Sequence, residues 1–192
     1  YLYEKDILKQ SFPVSTSSFG EGSLENSFKT PLGSHEIKQK IGTNVPINTI
    51  FIARENTNRK AKIINETIDS DDDFVTSRIL WLDGLEEGKN KGSGVDSYDR
   101  YIYIHGTHEE GLIGQKASHG CIRMFNNDVI DLSLRSNQSV GIGTSTAVRV
   151  KYHSGSDKLI INPTTFAHTV LNASKNELTL TAVSYTHLTL PT

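Results

Sequence analysis

Apolar and polar positions alternate in short stretches along this chain, and turn-forming clusters separate the stretches. Residues 49–53 (TIFIA), 77–82 (SRILWL), 101–104 (YIYI) and 147–150 (AVRV) are rich in β-branched and aromatic side chains, which suit a pleated, half-buried surface. Gly, Pro, Ser and Asp punctuate the chain at 20–22, 31–33, 69–73 and 92–94. This spacing predicts a mainly β fold, a sandwich or barrel-like sheet with one or two short helices. The best helix candidate begins at Asn126-Asn127-Asp128, where an Asn or Asp side chain can cap the first free amides. Val129, Ile130 and Leu134 would then turn to the core, although the alternation of Ile130, Leu132 and Leu134 also fits a strand. No internal repeat is visible.

Composition narrows the picture. A chain of 192 residues that is 35% hydrophobic supports one compact core. Its net charge of −2 offers no basic excess for gripping phosphate backbones, so nucleic acid is not an expected partner. No apolar run is long enough to span a bilayer. The sequence starts at Tyr1 without a signal-like segment, so a truncated or processed form is expected. The catalytic region is expected to end at 151. Residues 152–183 form an extension without assignable role, and 184–192 resemble a non-native adapter-like tail. The acidic run at 69–73 lacks the ligand spacing of a calcium loop and is expected to be a solvated turn. The polar, Gly-rich stretch 83–100 reads equally as a lid or a plain surface excursion.

The candidate chemistry is concentrated in one place. Three of the seven histidines fall at 105, 108 and 119, and the single cysteine, Cys121, comes two residues after the last of them. One cysteine excludes an internal disulfide and any multi-cysteine metal site within the chain. In an extended 101–105 segment, Tyr101, Tyr103 and His105 share one face, with Ile102 and Ile104 on the other. In an extended 118–124 segment, His119, Cys121 and Arg123 share a face opposite Ile122 and Met124. The two segments can therefore present His105, His119, Cys121 and Arg123 to one concavity. A histidine can take the proton of a thiol whose ordinary pKa is near 8.5, and a nearby Arg favours the anion. Gly120 before the cysteine permits a tight backbone whose amides can face an oxyanion. Three readings stay open on pattern alone: a thiol nucleophile, a metal site drawing on His105, His108, His119 and Cys121, and a buried structural cysteine.

Ser118-His119-Gly120-Cys121-Ile122-Arg123, preceded by His105-Gly106, resembles the signature of the peptidoglycan L,D-transpeptidases, the YkuD domain. Val14-Ser15-Thr16 and Lys29-Thr30-Pro31-Leu32-Gly33 resemble that domain's early region. Val140–Thr144 and 147–150 resemble its closing strand. The resemblance implies a thioester mechanism. Cys121 would attack the carbonyl before the terminal D-Ala of a stem tetrapeptide, and an amine or water would resolve the acyl-enzyme. It implies His105 as proton carrier and His119 as an orienting group. The amides of Gly120 and Cys121 would form the oxyanion hole, and Arg123 would hold a substrate carboxylate. Ser118, Gly106 and Tyr103 complete the expected substrate contacts. No cofactor or metal is implied. The implied partners are peptidoglycan stems and, among the acceptors, a lipoprotein. The implied location is the periplasm or cell envelope.

Overall fold

The computed structural model describes residues 1–4, 7–134, 138–142 and 148–152. Everything described lies in a unit spanning Tyr1–Ile161, and the extension and adapter-like tail beyond residue 152 fall outside the described residues. Strands dominate, as the alternating pattern requires. At the centre of the sheet, β7 (Val75–Gly84) lies between β4 (Gly33–Ile41) and β8 (Tyr103–Thr107), antiparallel to both. On the β4 side, the order continues through β11 (Gln138–Ile142), β12 (Val148–Tyr152), β1 (Leu2–Glu4) and β2 (Ile7–Gln10). On the β8 side come β10 (Ile122–Met124), β3 (Val14–Ser17) and β9 (Lys116–Ser118). A hairpin, β5 (Thr49–Ile52) and β6 (Glu55–Lys60), pairs with the N-terminal end of β7.

The period-2 pattern of β7 is buried on both sides. Leu80 and Leu82 join Ile102, Ile104, Ile122 and Met124 in the main core. Ile79 and Trp81 join Phe51 and Tyr103 in a second apolar cluster, against which Cys121 packs. At about 25 cal/mol per Å² of apolar surface, such side chains each contribute roughly 1.5–3 kcal/mol on burial. The helix/strand ambiguity after Asn126 resolves as one helix among the described residues, α1 (Asn126–Leu134). It buries Val129 and Leu132, while Leu134 is exposed to solvent, contrary to expectation. A helix that starts at Asn126 places positions 129 and 132 on one face and 134 well off it.

Asn126 also fixes the helix to the sheet. Its side-chain oxygen accepts from Thr76 (2.7 Å) and Ser77 (2.5 Å), and its amide nitrogen donates to the Thr107 carbonyl (2.7 Å) and Glu110 (2.7 Å). Ser77 lies in a bulge. The β7–β8 register runs Thr76 opposite Gly106 and then jumps to Ile79 opposite His105, and Ser77 takes φ +61°. The extra residues bend β7 beside His105, a position where bulges serve to re-aim side chains.

Candidate active site

His105 and Cys121 reach the site by different routes. His105 sits within β8, buried, with its ring Nδ1 2.7 Å from the Gly106 carbonyl oxygen. A carbonyl only accepts, so Nδ1 carries the hydrogen and Nε2 is left with its lone pair. Cys121 precedes β10, whose parallel register with β8 sets Ile122 beside Ile104 and Arg123 beside His105. Cys121 therefore comes level with Tyr103. The Tyr103 amide donates to Sγ at 3.4 Å, and the thiol donates to the Tyr101 carbonyl at 3.5 Å.

Residues 118–124 are not one extended segment. Ser118 ends β9, the chain bends through His119 and Gly120, and β10 begins only at Ile122. The bend depends on Gly120, whose φ of +126° other residues rarely adopt. The Ser118 hydroxyl holds the bend closed, donating to the Cys121 carbonyl (2.5 Å) and accepting from the Gly120 amide (3.3 Å). Thr30 fixes it from the other side. Its hydroxyl donates to the Gly120 carbonyl at 2.9 Å and accepts from the Ser17 amide at 3.0 Å. The early and late sequence motifs meet at this bend.

Burial pushes the Cys121 thiol up to about 12, against a smaller opposing effect from the Tyr103 amide. Burial likewise lowers the His105 imidazole, outweighing the Gly106 hydrogen bond and the field of Asp73. Both groups are thus neutral in the resting protein near pH 7. At rest the cysteine is a thiol and the histidine an uncharged imidazole with its lone pair on Nε2.

Asp73 and Glu109 organise the rest of the site. Arg123 is sealed from solvent, with Nη1 2.8 Å from Glu109 and Nη2 2.9 Å from Asp73. His119, over half exposed, places Nδ1 3.2 Å from Asp73 and packs against the rings of Phe19 and Phe28. Burial works to raise the Asp73 carboxyl, but the charge of Arg123, the field of His105 and bonds from Arg123 and His119 hold it below the ordinary value. As expected of a solvated turn, residues 69–73 are largely exposed, Asp73 included, but the Asp73 carboxylate also reaches Arg123 and the His119 ring. Arg123, expected to meet a substrate carboxylate, instead faces two protein carboxylates, and a solute would have to displace Asp73 to reach it. The expected contacts at Gly106 and Ser118 are also buried. A Cβ on Gly106 would come within 2.5 Å of Asn126 and 2.8 Å of the Thr76 carbonyl. Tyr103 is buried edge-on against Trp81, with its hydroxyl accepting from Arg54 at 3.3 Å. His108 turns away to Ser70 (3.0 Å) and Phe74.

The stretch 83–100 is neither loose nor detached. Asn90 is buried, donating to the Leu32 and Ser34 carbonyls, and Ser97 lies 2.9 Å from the His35 ring. Tyr98 stacks on Trp81 with ring centroids 4.1 Å apart. The segment's polar residues bind its own turns and β4. It leads directly into Tyr101, whose carbonyl receives the thiol.

The family model of the YkuD domain, the L,D-transpeptidase catalytic domain, matches residues 1–150. The chain belongs to this family. Two crystal structures of L,D-transpeptidase 3 from Mycobacterium tuberculosis are similar to it at 13% identity. One, in complex with a faropenem-derived adduct, is matched over 77% of this chain and 48% of that one, with TM-score 0.33. The other is matched over 77% and 47%, with TM-score 0.31. The chain spans about half the length of these solved relatives. A search of curated protein sequences found no match. In this YkuD domain, sequence reasoning missed Asp73 and Glu109. One signal was available: Arg123 falls between two apolar positions, Ile122 and Met124, and a strand arginine buried there requires carboxylate partners.

Proposed function

We propose that this chain is a catalytic domain that transfers acyl groups of peptidoglycan stem peptides through Cys121. The observation that carries the reading is the Nδ1–H tautomer of His105, which leaves Nε2 as the base on the strand beside the cysteine. Cys121 Sγ attacks the carbonyl that joins a diamino acid to the terminal D-Ala of a stem tetrapeptide. Its proton passes to His105, and the oxyanion is met by the amides of Gly120 and Cys121. The Gly120 amide exchanges its long bond to Ser118 for the developing charge, a contact worth about 3 kcal/mol or more in the transition state. D-Ala leaves with the proton from His105, giving a thioester on Cys121. An acceptor amine then loses its proton to His105 as it attacks the thioester, and the thiol is regenerated.

In this scheme Arg123 is a positioning residue that holds Asp73 in the field of His105 and Cys121. His119 borders the acceptor's approach with Phe19 and Phe28. The substrate places the domain outside the cytoplasmic membrane, in the periplasm or wall. No helix among the described residues is long and apolar enough to cross a membrane.

The test is product analysis by mass spectrometry, with tetrapeptide-bearing muropeptides and candidate amines, including a stem and a lipoprotein-type lysine. Release of D-Ala with a new amide to the amine supports transfer. Release with water alone makes the domain a carboxypeptidase. Equal release by wild type and Cys121→Ala removes the catalytic reading and leaves a wall-binding module.

A further inference from the structure

The turn joining β5 to β6 is strained and carries an arginine over the rings beside the thiol. Ile52 pairs with Glu55, so Ala53 and Arg54 are the two central residues, at φ +48° and +70°. Gly and Asn are the residues that accept this tight turn readily; Ala and Arg do so at a cost. A strained backbone that the fold nevertheless maintains directs attention to what it presents. Here it presents the Arg54 guanidinium 4.9 Å from the centres of both the Trp81 and Tyr101 rings.

One nitrogen of that guanidinium donates to the Tyr103 hydroxyl at 3.3 Å. Both tyrosines that receive Arg54 also touch Cys121 Sγ through their backbones. Arg54 lines a cavity of about 360 Å³ together with Glu55, Gln39, Asn56, Phe51 and Trp81. Among the described residues, no protein carboxylate pairs with Arg54, so it differs from the sealed Arg123. Stacking on the rings fixes the plane of the guanidinium and leaves donors at its edge for a planar, bidentate anion. Glu55 lines the same cavity, so a bare anion would meet repulsion. A ligand end with an amine beside its carboxylate would be matched at both charges.

From this arrangement we infer that the cavity behind Arg54 and Glu55 is a subsite for an α-amino-carboxylate end of the substrate. Arg54 takes the carboxylate and Glu55 faces the amine. The inference rests on the proposed function. In a stem peptide, the side-chain end of a diamino acid such as diaminopimelate has this chemistry, whereas a lysine-type stem lacks the carboxylate. The subsite selects stems by the third residue.

The experiment compares D-Ala release from two tetrapeptides that differ only in a free or amidated distal carboxylate on the diamino acid. For wild type, kcat/KM should favour the free acid by about tenfold, the scale of one charge-assisted hydrogen-bond pair, with the difference mainly in KM. Arg54→Gln should bring the ratio close to one. Should that variant fold poorly, Glu55→Gln asks the parallel question, because it should shrink the preference for a free over an acetylated distal amine. Turnover of both stems by wild type without discrimination would overturn the subsite and leave the proposed function standing. So would a ratio that Arg54→Gln leaves unchanged, or one that responds instead to amidation of the terminal D-Ala. Absence of any turnover by wild type would remove both.

Discussion

At the scale of single residues, the site depends on two neutral groups and one sealed cation. Because burial raises the Cys121 thiol to about 12, little thiolate exists at neutral pH. Alkylation by iodoacetamide should therefore climb about tenfold per pH unit from 7 to 10 without levelling off, whereas a plateau by pH 9 would show an ordinary thiol. His105→Ala should abolish D-Ala release while the chain still folds, with a thermal midpoint lowered by the cavity it leaves, and comparable kinetics would refute its role as the base. Arg123 behaves differently. Arg123→Ala leaves Glu109 buried and unpaired, so it should lose roughly 3–5 kcal/mol of stability in urea titration. A loss confined to KM would instead mean that the side chain meets substrate. The placing of Cys121 beside the strand that carries His105, and the bend at Gly120, were legible in the sequence from the His-Gly and His-Gly-Cys spacing. Asp73 and Glu109 were not, since their role depends on a distant strand carrying Arg123 into the interior.

Elements reveal more of how the site is positioned. The alternation of 77–82 and 101–104 did mark β7 and the start of β8. The sequence pattern does not show that Tyr101 takes φ +57° and ends a turn, because its exchange of strand for turn depends on the packed 83–100 segment. Nor does it show the bulge at Ser77, which needs Asn126 from α1 as its partner. The close approach of β7, β8 and α1 leaves no room at Gly106. Gly106→Ala should therefore cost about 1–3 kcal/mol by overpacking, read as a lowered urea midpoint. An unchanged midpoint would show that the strands separate easily.

For the whole molecule, pH should act through buried neutral groups. His35 on β4 is fully buried between the Gly33 carbonyl and Ser97, and burial lowers its pKa to about 4. An unfolded histidine takes its proton near 6.5, so the unfolded chain gains protons before the folded one as pH falls. Stability present above 6.5 should drop through the interval to about 4, by up to about 3 kcal/mol from this residue. Urea midpoints at pH 7 and pH 4.5 measure it, and equal midpoints would contradict the burial. The raised thiol acts at the other end, with its contribution lost as pH rises from about 9 toward 12. The mainly β class followed from the alternation. The order of strands did not, because pairing β8 with β10 in parallel is a long-range choice that no local pattern records.

The central claim is that Cys121 is the acyl-accepting nucleophile. Its most direct measurement is the intact mass of the protein after incubation with a carbapenem, whose strained amide offers the thiol an acyl group. The account predicts one adduct of the drug's mass on wild type and none on Cys121→Ala. An unmodified wild-type protein, or an adduct that survives the substitution, would contradict it.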